Sequence, residues 1–251
     1  MTPVALVTGA AGGIGRAVVL HLARLGGHVV AVDRDAHGLA ALEEAPGTVT
    51  TRVVDVTDEG AVEALVADVE ATLGPVTRLV SAAGVLRPAP VLDVSRADVV
   101  ETFAVNVVGT VLVCRAVATR MVARGGGSIV TVASNAARVP RTGMSVYAAS
   151  KAAAEMFTRC LALETAAHGV RCNVVAPGST DTPMLRALWE QGGSESATVD
   201  GDLATYRNGI PLGRVASPQD VAQVVAFLLS DDARHMTMQS LTVDGGAALG
   251  A

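Results

Sequence analysis

The chain has 251 residues, half of them hydrophobic and only 2% aromatic, which favours one large α/β domain with an aliphatic core. Its net charge of −5 and its lack of Lys/Arg clusters argue against nucleic-acid binding, which needs a basic footprint. The apolar runs are of strand length and no basic segment opens the chain, so no membrane span and no signal peptide are predicted, and cytoplasmic residence is the default expectation.

Strand-like apolar runs alternate with helical patterns along the whole chain. Strands are predicted at residues 4–8, 28–32, 49–54, 78–81, 128–133, 170–175 and 240–243. Helices are predicted near residues 14–25, 36–44, 58–73, 96–123, 145–168 and 218–229, the last with Ser217 as cap and Pro218 at its first position. This alternation predicts a Rossmann-type, doubly wound, mostly parallel seven-stranded sheet with helices on both faces. No linker or repeat divides residues 1–251, so a single domain is expected.

A glycine-rich turn follows the first predicted strand. The segment from Gly9 to Gly15 joins that strand to a helix, with its glycines spaced G-x-x-x-G-x-G. Glycines let the backbone approach a pyrophosphate, which then rests on the unpaired N–H groups at the start of the helix. Asp33 ends the second strand, where a carboxylate accepts hydrogen bonds from ribose hydroxyls and repels a 2′-phosphate. NAD is therefore predicted over NADP, while the adjacent Arg34, which would tolerate phosphate, is expected to point to solvent.

Tyr147 and Lys151 lie four residues apart at the start of a predicted helix, so their side chains share one face. A phenol titrates near ~10 in isolation, and an adjacent cation favours the phenolate, so the pair would supply a base near neutral pH. Ser134 ends the fifth predicted strand and could hydrogen-bond the same substrate oxygen. A lone Tyr-x-x-x-Lys is ordinary on a helix surface, but the glycine turn upstream favours a proton-transfer site.

Other polar or glycine residues also follow predicted strands. Asp55 and Val56 follow the third strand, Ala83 and Gly84 the fourth, and Pro177 the sixth. Ligands of a doubly wound sheet bind outside the carboxyl ends of its strands. These residues therefore predict one site at that edge of the sheet.

The cysteines and histidines do not predict a metal centre. Cys114, Cys160 and Cys172 are odd in number and lack C-x-x-C spacing, and the five histidines are scattered. This pattern fits reduced thiols better than a disulfide framework. No catalytic metal is expected.

With these motifs the chain resembles the short-chain dehydrogenase/reductase family over essentially its whole length. The resemblance implies that Asn106, Ser134, Tyr147 and Lys151 are the catalytic set, with Asn106 holding a water that connects the lysine to solvent. It also implies that residues 177–182 lie along the nicotinamide. One departure is the segment 81–84, where many members carry Asn-Asn-Ala-Gly. The predicted cofactor-binding residues are Gly9, Gly13, Ile14, Gly15, Asp33, Arg34, Asp55, Val56, Ala83, Gly84, Tyr147, Lys151, Pro177, Gly178, Thr180 and Thr182.

Within that family, the chain resembles the 2,3-dihydro-2,3-dihydroxybenzoate dehydrogenases of catechol siderophore biosynthesis. The similar stretches are residues 84–87, 130–137, 140–144, 170–182, 208–213 and 243–251. The resemblance implies NAD-dependent oxidation of the C3 alcohol of a cyclohexadiene carboxylate. Relatives in antibiotic pathways act on trans-2,3-dihydro-3-hydroxyanthranilate, so a hydroxyl or an amine at C2 remains open.

Two further interpretations stay open beside that one. The first is a reductase for an unrelated alcohol or ketone, which would need no cation for its substrate. The second is a non-catalytic dinucleotide sensor, against which the intact Ser, Tyr, Lys and Asn positions speak.

A carboxylate substrate favours a guanidinium partner, and Arg87 and Arg141 are the candidates. Met144, Met184 and Trp189 are candidates for an apolar wall over the substrate ring, although methionines often serve only to fill a core. Residues 183–209 combine a short helix with polar, glycine-containing sequence, which predicts a lid with the weakest order in a ligand-free structure. Family members are commonly tetramers built through the helices near 96–123 and 145–168, so a homotetramer or homodimer is implied.

Overall fold

The computed structural model describes residues 4–45 and 47–250 of the chain. Its strands are β1 (Val4–Thr8), β2 (His28–Asp33), β3 (Thr48–Val53), β4 (Val76–Ser81), β5 (Gly127–Val132), β6 (Val170–Pro177), β7 (Gly201–Asp202), β8 (Arg207–Asn208) and β9 (Ser240–Val243). Seven of them form one parallel sheet in the order β3-β2-β1-β4-β5-β6-β9, while β7 and β8 pair as a short antiparallel hairpin. The predicted seven-stranded sheet is confirmed, and all of its pairings are parallel.

The helices cover both faces of this sheet. They are α1 (Gly13–Arg24), α2 (Ala36–Glu43), α3 (Glu59–Thr72), α4 (Arg96–Phe103), α5 (Thr110–Arg124), α6 (Ser145–Thr165), α7 (Pro183–Glu190), α8 (Glu195–Asp200) and α9 (Pro218–Leu229). One face of the sheet packs against α1, α2 and α9, and the other against α3, α5 and α6. Because helices cover both faces, all five residues of β1 are buried, and the strands read as continuous apolar runs rather than alternating ones.

The predicted helix at 96–123 is interrupted in its middle. Residues Ala104–Gly109 form a π-helical turn between α4 and α5, so one longer helical run carries a local widening. Such turns occur frequently at functional sites. The interruption places Asn106, which is fully buried, on the side of the helix that faces α6.

The stretch Arg96–Arg124 also corrects the expectation that no apolar segment reaches membrane-spanning length. It has 29 residues, and its most apolar 18 residues have a mean hydropathy of 1.7, so it passes that test by length and composition. Its interruptions by single charged residues had made it look shorter in the sequence. Here 39% of its most apolar window is buried inside the molecule, against β4, α3 and α6, and core helices pass the same test.

The order of the strands creates a crevice at one edge of the sheet. From β1 the chain moves outward through β2 to β3, then returns to place β4 on the other side of β1. The loops after β1 and β4 therefore diverge, and ligands bind at such a switch point in doubly wound sheets. The carboxyl ends of β5 and β6 continue the same edge.

Candidate active site

Two adjoining cavities open at the carboxyl edge of the sheet, and five residues line both of them: Ile14, Ala82, Gly84, Thr182 and Met184. The first, here called the glycine crevice, has a volume of about 430 Å³ and lies between the loops after β1, β2, β3 and β4. The second, the tyrosine cleft, has a volume of about 450 Å³ and extends past the ends of β5 and β6 to α7 and α8.

The glycine crevice depends on a tight turn after β1. Gly9 has a φ of +68°, and a Cβ there would lie 2.6 Å from the backbone nitrogen of Ala83. A Cβ on Gly13 would lie 2.5 Å from Cγ2 of Thr182. The Thr8 hydroxyl accepts hydrogen bonds from the backbone N–H groups of Ala82 and Ala83, at 3.2 and 3.4 Å. This hydroxyl therefore tethers the loop after β4, where the sequence lacks the asparagines common in the family.

The start of α1 is open to this crevice. Its N-cap is Gly12, which has no side chain to accept from the first N–H groups, whereas α2, α3 and α4 are capped by Asp35, Asp58 and Ser95. Unpaired N–H groups at a helix start form a natural site for a phosphate group. The chemistry of this end of α1 therefore fits the pyrophosphate of a dinucleotide.

The carboxylate of Asp33 lies further along the crevice. It accepts hydrogen bonds from the backbone N–H groups of Ala11, at 3.0 Å, and Asp35, at 3.1 Å, so it holds the glycine turn as well as facing the crevice. Arg34 lines the same crevice and is exposed, which agrees with its expected position toward solvent. Hydrogen bonds from Thr57 to Asp55 hold the pKa of that carboxyl below its usual value.

The predicted cofactor-binding residues divide between the two cavities. Lining the glycine crevice are Gly9, Gly13, Ile14, Gly15, Asp33, Arg34, Asp55, Val56, Ala83, Gly84 and Thr182. Lining the tyrosine cleft are Tyr147, Lys151, Pro177, Gly178 and Thr180, together with Ile14, Gly84 and Thr182. The fold thus brings together residues that are spread over most of the sequence.

The predicted proton-transfer residues meet in the tyrosine cleft. Ser134 follows β5, while Tyr147 and Lys151 lie on successive turns of α6. The ammonium of Lys151 lies 5.8 Å from the centre of the Tyr147 ring and donates a 3.0 Å hydrogen bond to the carbonyl of Val132, at the end of β5. That bond fixes α6 against the strand that carries Ser134.

The protonation of this pair differs from the sequence-based expectation. Tyr147 is partly accessible from the cleft, yet burial raises its pKa, and the interaction with the Ser134 hydroxyl offsets only part of that effect. Burial also lowers the pKa of Lys151, to about 8. Removing both groups from water disfavours both charged forms. In this state the adjacent lysine therefore does not bring the phenol pKa toward neutrality.

Asn106 is fixed by three side-chain hydrogen bonds. Its Oδ1 accepts from the N–H of Val85 at 2.8 Å, and its Nδ2 donates to the carbonyl of Val85 at 3.0 Å and to Oγ of Ser150 at 2.9 Å. The Ser150 hydroxyl in turn donates to the carbonyl of Tyr147 at 2.7 Å. Both N–H groups of the amide are thus engaged, so Asn106 connects the loop after β4 to the first turn of α6.

The substrate candidates separate into two groups. Arg141, Met144, Met184 and Trp189 all line the tyrosine cleft. Arg87 does not belong to the described lining: its guanidinium forms two hydrogen bonds with Glu101, at 2.8 and 2.9 Å, on an exposed surface. The expectation for Arg87 is therefore corrected, because its charge already has a partner on α4.

Sequence reasoning missed Arg207, which lines the tyrosine cleft from β8. Its guanidinium donates a 3.0 Å hydrogen bond to Oγ of Ser179, after β6. The available signal was its location inside the predicted lid, where it is the one Lys or Arg between Arg186 and Arg214.

Residues 183–209 form α7, α8 and the β7–β8 hairpin, and many of them line the tyrosine cleft. Every residue of α7 keeps some exposure, and Thr198 is the buried residue of α8. The Trp189 indole N–H donates to Oγ1 of Thr198 at 3.0 Å, which joins the two helices. The placement over the cleft suits a lid, and its mobility stays a prediction.

Within residues 4–45 and 47–250, no group of three or more His, Cys, Asp or Glu side chains is arranged to hold a metal ion. Cys114 and Cys172 are buried, Cys160 is exposed, and all three are free thiols.

Comparisons with known proteins agree with this geometry. The family model described as enoyl-(acyl carrier protein) reductase matches residues 9–248. The chain is 45% identical to the 2,3-dihydro-2,3-dihydroxybenzoate dehydrogenase of Bacillus subtilis, over 98% of this chain and 96% of that protein. It is 42% identical to the enzyme of the same name from Escherichia coli, again over 98% and 96%. The crystal structure of levodione reductase superposes with a TM-score of 0.91 at 31% identity, covering 99% of this chain and 98% of that one. The chain therefore belongs to the short-chain dehydrogenase/reductase family of NAD(P)-dependent oxidoreductases.

Proposed function

We propose that the protein oxidises, with NAD, the C3 alcohol of a 2,3-dihydro-2,3-dihydroxybenzoate-type cyclohexadiene carboxylate. The observation that carries the proposal is the position of Arg141 in the same cleft as Tyr147, without an acidic side chain within ion-pair distance in the described part of the chain. A guanidinium of this kind binds a carboxylate bidentately. The names of the two relatives above support the same substrate class.

The glycine crevice would hold the dinucleotide. The uncapped start of α1 would bind its pyrophosphate, and Asp33 would accept hydrogen bonds from the adenosine ribose. The same carboxylate disfavours a 2′-phosphate, which is why NAD is proposed over NADP. A bound nicotinamide would supply the acceptor for the hydride of the carbinol carbon.

Tyr147 would accept the proton of the substrate hydroxyl while that carbon loses hydride, so an alcohol becomes a ketone. The Ser134 hydroxyl would orient the same oxygen, and Lys151 would stabilise the phenolate that the base requires. Burial raises the pKa of Tyr147, so loss of the phenol proton should require a more alkaline pH than for an exposed tyrosine. Asn106 would act as a positioning residue for the first turn of α6.

The chemistry also sets the direction of the reaction. Oxidation at C3 of a dihydrodiol gives a ketone that tautomerises to an aromatic catechol. Formation of the aromatic ring would pull the reaction toward NADH, whereas oxidation of a simple alcohol would remain reversible.

The direct test is NADH formation by the purified protein with 2,3-dihydro-2,3-dihydroxybenzoate and, in parallel, trans-2,3-dihydro-3-hydroxyanthranilate. Turnover of the first substrate alone supports the proposal. A preference for the second would assign an amine at C2. If neither substrate is oxidised although NAD binds, the proposed substrate class is wrong and only the family membership stands.

Tyr147→Phe tests the assignment of the base. The substitution keeps the ring and removes the group that accepts the proton, so kcat should fall by at least about 10²–10⁴-fold. Tyr206→Phe is the matched control, since Tyr206 is the other tyrosine of the chain and is 91% exposed on the lid. Near-normal turnover of the Tyr147 variant would exclude this role.

Assembly into a homotetramer or homodimer is proposed as well. The outer face of α4 and the adjoining π-helical turn exposes Val100 and Val108, and α6 exposes Met156 and Leu163. A second copy of the chain would cover these side chains. Sedimentation equilibrium tests this: a monomer at micromolar concentration would contradict it.

A further inference from the structure

Two guanidinium groups line the tyrosine cleft from different parts of the fold. Arg141 lies in the loop between β5 and α6, which belongs to the body of the molecule. Arg207 lies on β8, in the hairpin of the lid segment. Both side chains line the same cleft, and the positive charge of Arg141 lowers the pKa of Arg207.

Neither arginine has an acidic partner within 4 Å among residues 4–45 and 47–250. Arg207 donates one hydrogen bond, to the Ser179 hydroxyl, and Arg141 donates none to the described protein atoms. Asp244 and Asp202 raise the pKa of Arg141 and of Arg207, respectively, but only at longer range. By contrast, Arg87 and Arg186 each bind a carboxylate through two nitrogens.

Two half-buried cations that face one cleft without a counter-ion are unfavourable. Burial is the largest cause that lowers the pKa of each, and their mutual repulsion adds to the effect for Arg207. An anion between the two guanidinium groups would offset both the cost of burial and their mutual repulsion. Since a guanidinium presents a planar set of donors, a carboxylate on a molecule small enough for a cleft of about 450 Å³ is a matching ligand group.

We propose that Arg207 and Arg141 together bind the carboxylate of the substrate, and that Arg207 makes the enzyme select an acid over a neutral molecule. The identity of the acid rests on the function proposed above. Because Arg141 belongs to the body and Arg207 to the lid, one carboxylate bridges the two parts. Substrate binding thereby holds the lid over Ser134 and Tyr147, and a substrate without the acid group does not.

The bridging role requires that the lid segment have a fixed base that positions Arg207 beside the cleft. That base exists in the described structure: Asp181 donates from its N–H to the carbonyl of Ala216 at 2.8 Å, and Ala216 donates to the carbonyl of Ser179 at 3.0 Å. The partner of Arg207, Ser179, lies in this same base. Arg207 is thus anchored from the side of β6 and presents its remaining donors to the cleft.

The test measures binding of 2,3-dihydroxybenzoate and of its uncharged carboxamide by calorimetry, with protein saturated with NAD. Neither ligand can be oxidised at C3, so binding is read without turnover. Arg207→Gln should weaken binding of the carboxylate by about 10- to 100-fold, because one or two charge-assisted hydrogen bonds are lost. It should weaken binding of the carboxamide by less than about threefold. Arg207→Lys should fall between, because it keeps the charge and loses the planar fork.

Arg186→Gln is the matched control, since Arg186 lies on α7 of the same segment but binds Asp181 at the surface. It should leave both affinities unchanged. The proposal would be overturned if Arg207→Gln weakened binding of the two ligands equally. It would also be overturned if the wild-type protein did not bind the carboxylate more tightly than the carboxamide. If Arg207→Gln weakens binding of the carboxylate alone, but the wild-type protein oxidises neither dihydro substrate, the arginine pair stands and only the proposed reaction is rejected.

Discussion

Glu155 of α6 provides a prediction on stability that can be worked from the structure. Its side chain is only 7% exposed, and Oε1 accepts hydrogen bonds from Nη2 and Nε of Arg138 at 2.6 and 3.1 Å. Nη2 of Arg159, one turn later, lies 2.7 Å from the same oxygen. Arg138 comes from the segment that follows Ser134, so Glu155 joins that segment to the helix that carries Tyr147.

Glu155→Gln keeps the shape of the side chain and removes its charge, which leaves two guanidinium groups facing one amide. A hydrogen bond to a charged group contributes about 1.5–3 kcal/mol. The two arginines are 27% and 37% exposed, so solvent screening reduces the sum, and the expected loss is about 2–3 kcal/mol. For a chain of this size that corresponds to a fall in Tm of about 4–12 °C.

The assay is urea unfolding followed by circular dichroism at one fixed protein concentration, since assembly would otherwise shift the midpoint. Glu101→Gln is the control. It breaks the exposed pair with Arg87, whose side chains are 38% and 45% exposed, and should cost less than about 1 kcal/mol. If the two variants lose equal stability, the argument from burial is refuted.

The other expected outcomes concern the glycine crevice and Lys151. Gly13→Ala should raise the KM for NAD by at least about tenfold, because its Cβ would collide with Thr182, whereas Gly126→Ala, with its nearest neighbour at 3.8 Å, should leave it unchanged. Asp33→Ser should raise the ratio of kcat/KM for NADP to that for NAD, and an unchanged ratio would contradict the role of the carboxylate. Burial lowers the pKa of Lys151 from 10.5 to about 8, so between these pH values the unfolded chain binds more protons than the folded one. The free energy of unfolding should therefore rise with pH across that window. Lys151→Met should flatten this rise, measured as the urea midpoint at each pH.

The sequence predicted the sheet and most of its helices because local and global preferences agree there. The buried strands read as uninterrupted aliphatic runs, and Ser217, Pro218 and Asp220 form the capping box that starts α9. The prediction failed at the π-helical turn Ala104–Gly109, since no sequence pattern distinguishes such a turn from the α-helical residues on both sides of it. Asn106 of this turn forms hydrogen bonds with Val85 and Ser150, which are distant in sequence.

The site was predicted where local sequence spacing determines it, and not where it depends on contacts between distant residues. Spacing on one helix placed Tyr147 beside Lys151, and the strand ends placed Ser134 near them. Which arginine faces the cleft could not be read from spacing: Arg87 and Arg141 both follow strand ends, but only Arg87 meets an acid, Glu101, from α4. The raised pKa of Tyr147 was also out of reach, because it depends on how much protein surrounds the phenol.

The hydrogen bond between Trp189 and Thr198 has a spectroscopic consequence. Trp189 is the one tryptophan in the chain, and its indole lines the tyrosine cleft where α7 meets α8. All tryptophan emission of the protein therefore comes from this single place, with no background from the core. Its wavelength reports the polarity around one ring, and its quenching reports whether water or a ligand stands beside it. The unlabelled protein thus carries its own optical probe for the predicted movement of the segment above the cleft.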